Sequence, residues 1–276
     1  MISNNKYEYK RIYQEYQHIT FLGDIYEKTT KFFKYLDIDS LITMLHSGRM
    51  VYVEPSHWYD PFEKLFYEAD YTALGFDKPK VFCSCFTRKQ TNEAAWIMYS
   101  HFRKGLASRS AKLELDPIVY YDFLESYGRL TNSQIYIANV DYSLSEKTIK
   151  GLHLKKSKKH DKYFRDFSLE KFIRLLLIKR KAFEYEQEIR IFIVKENKPD
   201  ICPCGKIREL SDNIILEYDI CLLSALIKSI LISPDCTSTE YKLIKNEIQR
   251  LTDSKIKCSQ SGLYKPLKIE KIQIEA

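Results

Sequence analysis

Residues 181 to 193 read KAFEYEQEIRIFI. Glu184, Glu186 and Glu188 take every second position, Arg190 follows, and Ile189, Ile191 and Ile193 alternate with them. A strand with isoleucine at alternate positions needs one face in a core, and its other face must find surroundings for Glu188 and Arg190. The run is therefore expected to be a buried strand that begins near Gln187, with negative charge gathered at its mouth. Glu186 falls at the junction, in the last turn of the helical pattern before the strand. A carboxylate there opposes the negative end of a helix dipole and calls for a cation or a ligand. Two readings of the charges follow. One is a surface ladder in which Glu188 and Arg190 pair with neighbouring strands, at about 0–1 kcal/mol per pair. The other is a functional acidic mouth.

The rest of the chain interleaves strand and helix patterns. Phe32 to Tyr35 reads as a strand turning into a helix, with Asp39 or Ser40 as cap, Leu41, Met44 and Leu45 as its face and Gly48 as its stop. MVYVEP (50–55), KVFCSCFT (80–87), LASRSAKLEL (106–115), SQIYIANVDYS (133–143), IKSILISP (227–234) and KIKCSQS (255–261) read as strands. Helical spacing marks 91–105, the IVYYDFLESY stretch, SLEKFIRLLLIKRKAFEYE (168–186) and STEYKLIKNEIQRL (238–251), the last capped by Ser238 or Thr239. The expected fold is α+β: a single compact domain over 31–276, with a central mixed sheet flanked by helices and a closing strand-helix-strand unit, after an N-terminal helix or arm at 1–30.

The chain has 276 residues, 45% of them hydrophobic and 29% charged, with eight Gly and eight Pro, which is ordinary for one substantial globular core. Its 21 Tyr and 15 Phe stand out; tyrosine suits core edges and wet interfaces alike. A formal charge of +7 is compatible with an anionic partner, a nucleotide or nucleic acid, as well as with solubility alone. Seven cysteines, a polar start and the lack of any apolar run near the roughly 18 residues of a membrane span lead to the expectation of a soluble cytoplasmic protein with free thiols and no membrane partner.

Other candidate groups lie outside the opening run. In HWYDPFE (57–63), Asp60 and Glu63 share a tight stretch; Asp60 reads locally as a helix cap with Pro61 at the first helical position and Glu63 completing a capping box. Cys83 and Cys85 share a strand face, but their one-residue spacing is poor for zinc, as is that of Cys202 and Cys204. Trp96, Tyr99 and His101 read as core and rim, and no triad signature accompanies His46 or His101. The basic run at 151–165 reads as a solvated loop or a phosphate-binding patch.

FFKYLDIDSLITMLHSGRMVYVEPSHWYDPFE resembles the opening of a large bacterial family of unknown function, in which a lysine-tyrosine strand and a short helix lead to an Asn-Asp-Pro-Phe-Glu loop. FCSCFTRKQTNEAAWIMYSHFRKGLASRS is similar to its next block, KRKAFEYEQEIRIFI to its Phe-x-x-Glu-x-Glu-x-Arg signature, and ILISPDC with KIKCSQSGLY to its closing unit. The likeness spans 32 to about 265; Tyr59 replaces the usual Asn, and Ala95 stands before Trp96 where Met is common. Members of that family often sit on mobile elements beside phage-defence genes, so the resemblance implies a defence or toxin-like setting.

The motif order is also similar to that of ADP-ribosyltransferase folds. On that resemblance NAD is the substrate, Tyr35 lines the nicotinamide pocket, Ser84 supports the scaffold, and Trp96 and Tyr99 border the substrate. Glu188 would stabilise an oxocarbenium-like transition state, with Arg190 beside it and Glu186 orienting the acceptor. An alternative is a metal-dependent nuclease, with Asp60, Glu63, Glu186 and Glu188 holding Mg²⁺. A third is a non-enzymatic sensor whose glutamates are salt-bridge scaffolding.

Overall fold

The structure is a computed structural model that describes residues 16–23, 25, 31–90, 93–101, 109–153, 159–195, 208–210, 213–218 and 220–263. In chain order its strands are β1 (Ile19–Leu22), β2 (Phe32–Asp37), β3 (Arg49–Val53), β4 (Lys80–Thr87), β5 (Ser110–Leu115), β6 (Gln134–Asn139), β7 (Glu188–Lys195), β8 (Arg208–Leu210), β9 (Asn213–Glu217), β10 (Ile227–Ile232) and β11 (Lys257–Gln260). Its helices are α1 (Ile38–Ser47), α2 (Pro61–Glu68), α3 (Glu93–His101), α4 (Pro117–Thr131), α5 (Glu146–His153), α6 (His160–Phe164), α7 (Leu169–Leu175), α8 (Ile220–Leu226) and α9 (Ser238–Leu251).

The isoleucine-alternating run is β7, and all eight of its residues are buried. It lies between β4 and β6 and is antiparallel to both. The strand order runs β1-β6-β7-β4-β2-β5-β10-β11, with β1–β6 and β10–β11 parallel. β4 forks on its other edge: Thr87 pairs with Phe33 of β2, while Cys83 pairs with Val53 of β3, which carries β9 and β8. Helices cover both faces, so the chain is a single compact α+β domain around a mixed sheet.

The pleat of β7 divides two cores. Ile189, Ile191 and Ile193 join Phe82, Phe86 and Ile137 under α1, α4, α8 and α9. Phe192 and Val194 join Val81, Cys83 and Ala138 under α2, α5, α6 and α7. The buried Tyr52 and Tyr120 hydroxyls meet inside the first core. No helix among the described residues is long and apolar enough to cross a membrane.

Several local expectations are corrected. β1 falls inside the stretch expected as an arm, and it is a strand of the sheet. The cap of α1 is Asp37, which accepts from the Ser40 amide at 2.8 Å; its carboxylate is closer to the orphan amides than Asp39 or Ser40 would be. The cap of α9 is Thr237, in a capping box with Glu240, rather than Ser238 or Thr239. The long helical pattern over 168–186 is broken: α7 stops at Leu175, Ile178 bridges to Asp141, and Lys181–Glu186 winds as a 3-10 helix. Tertiary bonds replace the helical ones there, with the Asp141 amide donating to Leu177 O (2.8 Å) and the Lys179 amide to Asp141 O (3.1 Å).

Candidate functional site

Glu188 and Arg190 project from the face of β7 opposite the isoleucines, across from Thr87 and Cys85 of β4. Both are buried, so the surface ladder is not what forms; they pair with each other, and their further ionic partners, Glu63 and Lys179, come from outside the strands. Asp60 caps α2, accepting from the Phe62 amide at 3.0 Å with Pro61 at the first helical position. That start sends Glu63 down onto the sheet, where it meets the Arg190 guanidinium instead of completing a capping box. Lys179, released from the broken helix, enters from the other side.

The result is three carboxylates around two cations. Arg190 Nε lies 3.0 Å from Glu188 Oε1, and its terminal nitrogens bond Glu63, Glu188 Oε2 (3.1 Å) and the Leu176 carbonyl (2.6 Å). Lys179 Nζ lies 2.6 Å from Glu186, 3.0 Å from Glu188 and 3.4 Å from Glu63. The Trp58 ring stacks under the Arg190 guanidinium at 4.1 Å, the role of an otherwise unexplained tryptophan. Asp60 belongs to a neighbouring pair: Arg180 lies 3.1 Å from it and 3.2 Å from Glu146.

Burial alone would raise the Glu188 carboxyl, but Arg190 and Lys179 outweigh it and, with hydrogen bonds from Arg190 and Cys85, hold it down at about 2. Burial raises Glu186, and Lys179 offsets only part of that. Lys179 is held above the ordinary lysine range because its carboxylate neighbours, Glu188 first, outweigh its burial. The Glu188 contribution to stability is fully present above its unfolded value of about 4.3 and disappears as pH falls toward about 2. Glu186 acts with the opposite sign and softens the upper part of that decline. Acid unfolding followed by circular dichroism should show wild type losing stability steeply between about pH 4.5 and 2, and Glu188→Gln a flatter profile. Parallel profiles for the two proteins would count against the pairing.

An open depression of about 660 Å³ lies at the mouth of β7, lined by Arg88, Lys89, Glu184, Tyr185 and Gln187. The end of β4 and the 3-10 turn build it together. The Arg88 amide donates to the Gln187 carbonyl (3.1 Å), and the Arg88 guanidinium donates to Gln187 Oε1 (3.2 Å). Thr87 Oγ1 donates to the Glu186 carbonyl (2.5 Å) and accepts from the Lys89 amide (3.1 Å). Gln187 holds a left-handed φ of 46°, and its side-chain Nε2 donates to Glu184 O (2.8 Å). Glu186 lies between two lining residues, with its carboxylate turned toward Lys179.

The structure therefore brings Glu63, Glu186, Glu188 and Arg190 together, with Asp60 next to them. It does not bring Tyr35 or Ser84 to the same cleft. Ser84 is paired with Ile191, on the face opposite Glu188, and accepts from Lys34 Nζ at 3.0 Å. Tyr35 packs edge-on against Trp96, ring centres 5.0 Å apart, in a small core of its own. Tyr99 belongs to α3, but its side chain, like that of His101, lies outside the described residues, as do Cys202, Cys204 and residues 154–158 of the basic run. Sequence spacing gives no sign that Arg88 and Lys89 line the depression: they lie about 100 positions from Glu184, and only the β4–β7 pairing joins them.

The acidic set does not fit a divalent cation. Among the described residues no three His, Cys, Asp or Glu side chains converge as a metal site, and the oxygens of Glu63, Glu186 and Glu188 already face Lys179 and Arg190. Comparison of the chain with protein-family models, curated proteins and solved structures finds no match.

Proposed function

We propose that the protein acts on a nucleotide-type substrate at the mouth of β7, with ADP-ribosyl transfer from NAD as its reaction. One observation carries this reading: a carboxylate, Glu184, shares an open depression with the cations Arg88 and Lys89 and the ring of Tyr185. Breaking the bond between ribose and nicotinamide leaves its electron pair on the nicotinamide nitrogen and positive charge on the ribosyl carbon. An acceptor oxygen or nitrogen then bonds that carbon and gives up its proton. A carboxylate beside the ribose stabilises the charge as it develops.

The resemblance assigned that role to Glu188. Both Glu188 oxygens are engaged by Arg190 and Lys179, so the role passes to Glu184, and the buried pairs fix the strand mouth beneath it. The likeness to the bacterial family adds a defence or toxin-like setting to the proposal.

Purified protein incubated with NAD is expected to release nicotinamide, measured by chromatography. Glu184→Gln should slow release by about 10²–10³-fold, the effect of deleting one group that meets developing charge. The exposure of Glu184 makes this a mild change for the fold. No release by wild type, or equal release by the variant, ends the transfer reading.

A further inference from the structure

We infer that the depression holds a free nucleoside diphosphate, with Arg88 and Lys89 on the phosphates and the base against Tyr185. The inference builds on the nucleotide reading above but needs no transfer step. It starts from how the two cations differ. Arg88 is half-buried and braced through both its backbone and its guanidinium by Gln187, so its planar fork is set before a ligand arrives. A guanidinium has five N–H donors, and the Gln187 bond leaves others for phosphate oxygens. Lys89 is exposed, a mobile point charge suited to a second, outer phosphate.

Tyr185 supplies the other half of the ligand. Its ring is half-buried, and burial with the neighbouring Glu186 raises its hydroxyl, so it stays protonated and presents a neutral aromatic face. Sequence-tolerant stacking on such a ring is how bases are commonly held. A volume of about 660 Å³ lies within the range of small-molecule sites, roughly 300–1,000 Å³. Glu184 among the lining residues argues for a free nucleotide over a nucleic-acid strand. Its negative charge repels the further phosphates of a continuing strand, whereas a ribose hydroxyl can donate to it.

Isothermal titration at fixed low salt with ADP, pyrophosphate, adenosine and a 5′-phosphorylated oligonucleotide tests this. ADP is expected to bind. Lys89→Gln should weaken it about tenfold or more and reduce the salt dependence, and Arg88→Gln should weaken it at least as much. Tyr185→Leu should weaken ADP while leaving pyrophosphate unchanged. Because Arg88 also braces Gln187, Lys89→Gln is the decisive variant: its side chain is exposed, and a melting curve at the wild-type midpoint shows that its fold is intact. ADP binding unchanged in Lys89→Gln, no ADP binding at all, or oligonucleotide binding without ADP binding overturns the inference. ADP binding with these losses but no nicotinamide release keeps the inference and removes the transfer reading. Nicotinamide release with an unchanged KM for NAD in Lys89→Gln and Tyr185→Leu does the reverse.

Discussion

Arg190→Met is expected to destabilise the fold by about 3–5 kcal/mol. In a domain of this size the melting temperature should then fall by roughly 6–20 °C. Arg190 is 1% exposed, and its guanidinium bonds two buried carboxylates and a backbone carbonyl while stacking on Trp58. Without it, Glu63 and Glu188 face each other in a dry core with only Lys179 between them. Methionine fills much of the space, so the loss is one of uncompensated charge rather than of volume. Adding Glu188→Gln to Arg190→Met should recover part of the loss, because the second change removes one of the stranded charges. Thermal melts of the two single variants and the pair read this directly. A drop of under about 1 kcal/mol for Arg190→Met would mean that the cluster behaves as a hydrated surface network.

Gly48→Ala should cost about 2–4 kcal/mol, from left-handed backbone strain together with overpacking. Gly48 ends α1 at φ 65°, and its carbonyl accepts from the Tyr218 amide at 2.6 Å. A methyl group there would lie 2.2 Å from the Tyr218 carbonyl oxygen, a backbone atom that has no rotamer to escape into. To relieve it, the end of α1 must move away from Tyr218, just past β9, and disturb the β3–β9 ladder. Gly75 makes the control. It has the same φ of 65° and nothing within 4 Å of an added Cβ, so Gly75→Ala should cost only the conformational part, about 1–2 kcal/mol. Urea melts in which both variants lose the same amount would show that the clash at Gly48 relaxes freely.

The residues that announced themselves were those whose structure is decided locally. Ile189, Ile191 and Ile193 have a period that only a buried strand satisfies, Asp60-Pro61 is a helix start in two residues, and Gly48 is the stop it reads as. What stayed hidden depends on distant pairing. Lys179 fits the apolar side of a helical pattern, and its place outside α7 rests on distant groups: the Asp141 backbone and the carboxylates of Glu63, Glu186 and Glu188. Ser84 and Glu188 lie on opposite faces because β4 pairs Ser84 with Ile191; a shift of one residue in that register would have put Ser84 on the Glu188 side. Sequence spacing carries no record of register. The depression was invisible for the same reason, being made from two chain segments that meet only through β4 and β7.

The order in which those strands are made has its own consequence. β7 bonds β4 along its length on one edge and β6 on the other, yet it leaves the ribosome after both. About 100 residues separate Thr87 from Glu188. At roughly 5–20 residues per second, β4 waits some 5–20 s during translation before its long partner exists. Through that interval the edge of β4 that β7 will cover lacks its partner, so the centre of the sheet closes late in synthesis.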